Sequence, residues 1–198
     1  EPGAPSSSRL CPPAAVISPR KNTRTLIEAF GKLVDDGLDT ELRLAGDVVD
    51  PEYGQVVMDT IRQRHLEGRV MLLGRIGTDR VREELAAASV FSLVSLEENS
   101  PMGIEEAMAA GLPVVTSNRC GMPYMVRHGE SGFLVDPRNA ADIARRLRQI
   151  IEDDGLRRRM GELSRDIARD RFHPAAVARR TREIYYEAVR GVPGPGTQ

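Results

Sequence analysis

Along most of this chain, short continuous apolar runs alternate with longer stretches in which apolar residues recur every three or four positions. The runs at residues 14–18, 41–45, 70–73, 90–94, 114–116 and 133–135 predict strands. Most are near-continuous apolar runs rather than alternating ones, the pattern of parallel strands covered on both faces. Helices are predicted at 23–33, 52–65, 78–88, 101–110, 139–151, 155–171 and 174–190. The first places Leu26, Ile27, Phe30 and Leu33 on one face. Thr78 is a candidate cap for the third helix. Ser100 is one for the fourth, with Pro101 at the first helical position, where a missing N–H costs nothing. Asn139 and Asp142 stand close to a capping box at the head of the fifth. Strand and helix alternating five times specify an α/β fold, a Rossmann-like doubly wound parallel sheet with right-handed crossovers, followed by a helical C-terminal tail.

Residues 1–13, rich in proline, serine and glycine, are expected to form a linker or tail, 14–190 the domain, and 191–198 a disordered end. In a doubly wound sheet, ligands bind beyond the carboxyl ends of the strands. The loops expected to carry chemistry are therefore 19–22, 46–51, 74–77, 95–100 and 117–121.

Composition narrows the classes. With 40% hydrophobic and 29% charged residues, the 198-residue chain is neither collagen-like, disordered nor a disulfide framework. Its 28 basic and 29 acidic residues leave a net charge of −1, which argues against nucleic acid as a partner. No apolar run approaches the roughly 20 residues of a membrane helix. The N-terminus lacks the basic stretch and apolar core of a signal peptide, and it lacks an initiator methionine, so a piece of a longer chain is expected. Two cysteines, Cys11 and Cys120, suit a reducing cytoplasm, and Cys120 beside Arg119 is the more reactive candidate.

The dinucleotide fingerprint G-x-G-x-x-G and the phosphate loop G-x-x-x-x-G-K-[ST] are both absent after the first predicted strand. Ser18-Pro19-Arg20-Lys21-Asn22 stands there instead. Of the basic residues only Lys21 and Lys32 are lysine. Lys21 lies at a strand end before a helix N-terminus, so it reads either as a point charge for a phosphate or as a solvated surface lysine. More informative is the segment 97–115. Glu98 falls in the loop after the fourth strand and Glu106 about two turns into the next helix, while the amides near Met102 and Gly103 open that helix. Free amides there form an anion site, and a carboxylate suits the grip of a diol. From local pattern alone, these glutamates read equally well as a solvent-facing helix surface.

This segment resembles the signature of the large retaining family of GT-B glycosyltransferases that use nucleotide-sugar donors, the glycosyl transferases group 1. That signature is a Glu, seven residues, then a second Glu followed by Ala-Met-Ala-x-Gly-x-Pro-Val-Val. Here it is Glu98, Glu106-Ala107-Met108-Ala109 and Gly111-Leu112-Pro113-Val114-Val115. Pro19-Arg20-Lys21-Asn22, the Gly46-Asp47 turn, Val70-Met71-Leu72-Leu73-Gly74, Gly121-Met122-Pro123 and Gly129-Glu130-Ser131-Gly132 resemble other parts of the family in the same order. The resemblance implies the C-terminal, donor-binding half of a GT-B fold. Lys21 would neutralise the donor diphosphate, and the backbone around Arg75 and Ile76 would hold the base. Glu106 would hold the ribose, and Glu98 would contact the donor sugar and serve as the catalytic residue. Gly46, Ser100, Met102 and Gly103 complete the implied donor-binding set. No cofactor or metal is implied, since the nucleotide-sugar is a substrate.

The resemblance further implies a partner domain, a second Rossmann-like half that precedes this one and supplies the acceptor site and a catalytic histidine. His65, His128 and His173 match no such role. The chain departs from the pattern at Val16, where an arginine is common; Arg20 or Arg119 could compensate. It departs again at Ser100-Pro101-Met102, where Phe-Gly-Leu is common, and at Tyr124, where a glutamate is common. The ten arginines and seven acids of residues 138–171 read as a solvated face, or as a contact with an anionic membrane surface for a lipid-linked acceptor. The expected location is cytoplasmic, and the latter reading would add a peripheral position at the inner membrane surface. The alternative to a transferase half is a non-catalytic nucleotide-binding or regulatory module on the same fold.

Overall fold

A computed structural model describes residues 8–11 and 16–190. Strands β1 (Ser8–Cys11), β2 (Thr40–Ala45), β3 (Val70–Gly74), β4 (Val90–Leu93), β5 (Val114–Ser117) and β6 (Gly132–Val135) form one parallel sheet in the order β3-β2-β1-β4-β5-β6. This order winds outward in both directions from β1 and β4, and the crevice between those two is where such sheets bind ligands.

Helices α1 (Thr23–Asp35), α2 (Pro51–Gln63) and α5 (Ala140–Glu152) cover one face. On the other lie α3 (Thr78–Ala87) and α4 (Met102–Ala109). Helix α6 (Asp154–Arg171) contributes Met160 to the first core and Ile167 to the second, and α7 (Pro174–Arg190) follows it. Neighbouring residues of one strand serve opposite cores: Val114 packs on the α4 side and Val115 on the α1 side. In β4 and β5, which are covered on both faces, every position is buried, which explains their largely apolar runs. Each fully buried side chain such as Phe30, Ile27 or Leu147 contributes roughly 1.5–3 kcal/mol.

The first strand corrects the sequence expectation. It occupies Ser8–Cys11, inside the segment expected to be linker, and pairs with both β2 and β4. Pro12 and Pro13 follow directly, and proline has no N–H to give a central ladder. Of the strand expected at 14–18, residues 14 and 15 lie outside the described residues. Ile17 is buried but makes only a single bridge to Val48, with its amide donating to the Asp47 carbonyl at 2.9 Å. The end expected to be disordered, 191–198, also lies outside the described residues.

Beneath the sheet edge, Glu84 of α3 is 5% exposed. Its carboxylate takes Nε and Nη2 of Arg43 on β2 at 2.5 and 2.9 Å, and Nη2 of Arg80 at 2.7 Å. The hydrogen bonds from Arg43 hold the Glu84 carboxyl below its ordinary 4.5, against an opposing push from burial, with the charge of Arg80 adding to the effect. A carboxyl depressed in the folded state stabilises the fold above its unfolded pKa, and that contribution is lost as pH falls through the folded one. The Tm difference between wild type and Glu84→Gln should therefore be largest near neutral pH and shrink below about pH 4.5. Thermal melts across pH 3 to 7 check this, and a flat difference would contradict it.

Candidate functional site

Beyond β1 the chain makes one 3₁₀ turn, Pro19–Lys21, closed by Asn22 at φ 57° and ψ 35°. Asparagine tolerates this left-handed conformation better than most residues. Its side chain is a joint. Nδ2 donates to the Val94 carbonyl at 3.0 Å and to the Pro137 carbonyl at 2.7 Å, while Oδ1 accepts from Thr25 Oγ1 at 2.7 Å. The turn is thereby tied to the segments following β4 and β6. The Leu96 amide adds a bond to the Arg20 carbonyl at 2.8 Å. Asn22→Ala loses both buried carbonyl partners and puts alanine at positive φ, an expected cost of about 2–4 kcal/mol. Asn22→Gly keeps the conformation and should lie about 1 kcal/mol above the alanine variant in urea unfolding.

This bracing brings two cations to one point. Lys21 Nζ and Arg20 Nη1 each lie 2.5 Å from the same oxygen, Oε1 of Glu98. Lys21 and Glu98 are 14% and 12% exposed, whereas Arg20 is 53% exposed. Glu98 is held from behind, since the Gly121 amide donates to its carbonyl at 2.9 Å. The loops after β1, β4 and β5 thus meet at the crevice. Arg119 faces elsewhere, toward Asp136 at 3.6 Å.

Helix α4 begins at Met102, one residue later than the sequence suggests. Pro101, with ψ 116°, is the capping residue, and the Ser100 hydroxyl does not cap: it donates to Glu105 Oε1 at 3.0 Å. Extended ψ keeps proline just outside the helix. The amides of Met102 and Gly103 are consequently the first of α4, without partners inside the helix.

Glu106 is exposed and lines an open groove with Thr78, Val81 and Arg82 of α3 and with Ala109. Arg75 and Ile76 lie in the loop that enters α3, Arg75 exposed and Ile76 partly buried. Gly46, at φ 135°, donates its amide to the Gly74 carbonyl at 2.8 Å. It ties the loops after β2 and β3 together, and that amide is committed. The expected residues therefore fall into a cation–carboxylate cluster at Lys21 and Glu98 and a groove at Glu106, linked by the head of α4. Asn22 and Gly121 carry the geometry; the sequence places both in motifs of the resemblance but assigns neither a role, because their partners are remote in the chain. Two of the histidines bond the backbone, His173 Nδ1 accepting from the Ala175 amide at 3.3 Å and His128 Nδ1 from the Leu134 amide at 3.0 Å, and His65 follows α2 at φ 52°.

Two cations, a carboxylate and the head of α4 thus meet at the switch point of a doubly wound parallel sheet. The chain belongs to the glycosyl transferases group 1 family, whose profile matches residues 3–166. It is 31% identical over 170 residues to the N-acetyl-alpha-D-glucosaminyl L-malate synthase of Bacillus anthracis, covering 86% of this chain and 43% of that protein. It is 33% identical over 184 residues to the D-inositol 3-phosphate glycosyltransferase of Streptomyces bingchenggensis, covering 90% and 40%. The chain spans less than half the length of these curated relatives.

Among solved structures, Anabaena Alr3699/HepE in complex with UDP superposes with a TM-score of 0.84 at 25% identity, over 92% of this chain and 49% of that one. The C-terminal domain of a group 1 glycosyltransferase, LpcC of Francisella tularensis, shares the fold at a TM-score of 0.77 and 20% identity, over 86% of this chain and 88% of that domain. The architecture is the Rossmann-like half of a GT-B glycosyltransferase.

Proposed function

We propose that this chain is the donor-binding half of a retaining glycosyltransferase that uses a nucleoside-diphospho-sugar. The observation that carries the reading is the cluster of Lys21, Arg20 and Glu98 at the switch point, together with the first amides of α4. Transfer of the sugar leaves negative charge on the departing diphosphate. Fixed cations and amides aimed at that charge stabilise it most in the transition state, because they need no reorganisation. In this reading Lys21 meets the diphosphate, and the Met102 and Gly103 amides meet the phosphate or the sugar. The backbone at Arg75 and Ile76 holds the base, Glu106 accepts hydrogen bonds from the ribose hydroxyls, and Glu98 orients the sugar. The charge neutralisation is assigned to the chain's own groups, without a metal.

The acceptor site and the remaining catalytic group are assigned to a second Rossmann-like half. The exposed Val177, Ile184, Tyr185 and Val189 of α7 support such a contact, since four large apolar side chains on one terminal helix are a face that favours cover. A lipid-linked acceptor, and with it a peripheral position on the inner face of a membrane, is the class of acceptor that the arginine-rich α5 and α6 would suit. Among the described residues no helix is long and apolar enough to cross a membrane.

Calorimetric titration of the chain with UDP, GDP and ADP, with and without magnesium, tests the donor assignment. One nucleotide should bind without magnesium, and Glu106→Ala should weaken it about tenfold. Unchanged affinity in Glu106→Ala would remove the ribose assignment. Undiminished sugar transfer by Glu98→Gln in the full-length protein would remove the catalytic role and favour a regulatory module.

A further inference from the structure

Arg20 and Lys21 are adjacent on a single 3₁₀ turn, yet both reach one oxygen of Glu98 instead of one oxygen each. Two cations that each lie 2.5 Å from a common point are at most about 5 Å apart. Their mutual repulsion is substantial in a partly dry crevice. The arrangement is therefore suited to a small anion at that point.

The bracing of both sides does not depend on the ion pairs. The Arg20 carbonyl is held by the Leu96 amide, Asn22 is bonded to the Val94 and Pro137 carbonyls, and the Glu98 carbonyl is held by the Gly121 amide. Arg20 Nη1 also donates to the Glu97 carbonyl at 3.0 Å. If the Glu98 side chain turns away, these bonds still hold the Arg20 guanidinium and the backbone that carries Arg20, Lys21 and Glu98.

We propose that Arg20 is the second cation of the diphosphate site, and that the Glu98 carboxylate occupies the diphosphate's place until a donor displaces it. The inference rests on the reading of this crevice as the donor site. Lys21 is mostly shielded from water, so Glu98 leaves only when another anion takes over its contacts. The exchange couples two events. Arrival of the diphosphate satisfies both cations and at the same moment frees the carboxylate to reach the sugar hydroxyls. A free sugar brings no anion and does not release Glu98.

The test is calorimetric titration of the wild-type chain and of the variants Arg20→Ala, Arg20→Lys, Lys21→Ala and Glu98→Gln with inorganic pyrophosphate and with UDP, GDP and ADP. Arg20→Ala is expected to weaken pyrophosphate and the bound nucleotide about tenfold, with Arg20→Lys recovering most of the loss. Glu98→Gln is expected to tighten both about tenfold, because it removes the internal competitor. Misfolding would lower affinity in each variant and cannot produce these opposite signs. Wild-type affinity in Arg20→Ala, beside a loss in Lys21→Ala, overturns the role of Arg20 and leaves the donor reading standing. Unchanged or weakened binding in Glu98→Gln overturns the displacement. A wild-type chain that binds none of the probes overturns the donor reading and this inference with it.

Discussion

Lys21→Ala should lower the affinity of the chain for its nucleoside diphosphate by about 30- to 100-fold, or roughly 2–3 kcal/mol. Lys21 is the more shielded of the two cations at the crevice, 14% exposed against 53% for Arg20. A charged hydrogen bond is worth more where water competes less. The turn that presents Lys21 is braced through Asn22 and Leu96, so its backbone is in place before any ligand arrives, which lowers the ordering cost of the contact. Lys32 is the internal control. It is exposed on α1, beside Asp36 and Arg148 on the outer face, and Lys32→Ala should change affinity less than about twofold. Calorimetry on the two variants decides the matter, and equal affinities would detach Lys21 from the diphosphate.

Gly121→Ala should cost about 2–4 kcal/mol of stability and disable the crevice along with it. The backbone at Gly121 is ordinary, φ −82° and ψ −15°, so alanine suffers no conformational penalty there. The cost is steric: a Cβ would fall 1.5 Å from the Asn99 carbonyl oxygen and 2.5 Å from its carbon. Both are backbone atoms, and no rotamer change relieves the clash. Either the loop after β5 or the loop carrying Glu98 must retreat, and the bond from the Gly121 amide to the Glu98 carbonyl goes with it. Gly77→Ala provides the contrast. It too has negative φ, −78°, with nothing within 4 Å of the added methyl, and should cost under about 1 kcal/mol as a weaker helix cap. Urea unfolding measures both, and a Gly121→Ala protein as stable as wild type would show that the two loops are not in contact.

Much of this molecule is legible in the chain because the physics involved is local. Strands β4, β5 and β6 read correctly from near-continuous apolar runs, since these positions are almost all buried. Helix α5 reads correctly because Asn139 accepts the Asp142 amide three residues on, at 3.0 Å. The spacing of Glu98 and Glu106 around the start of α4 carries the family resemblance, which the match over residues 3–166 supports. β1 was misplaced because its one described buried side chain, Leu10, is a poorer signal than the apolar run that ends at Ile17. What makes Ser8–Cys11 a strand is its place between β2 and β4, and neither of those is nearby in the chain.

By itself, then, the sequence determined the succession of elements, the parallel character of the sheet and the residue types at the crevice. Each of these follows from burial period and capping within a few residues. Only the tertiary structure decided that Arg20 and Lys21 share one carboxylate oxygen, that Asn22 bonds carbonyls 72 and 115 residues away, and that Gly121 leaves no room for a side chain. Those contacts join segments that meet only after the sheet is assembled. Their geometry is set by the order of strands in space, which no local pattern of hydrophobic and polar residues encodes.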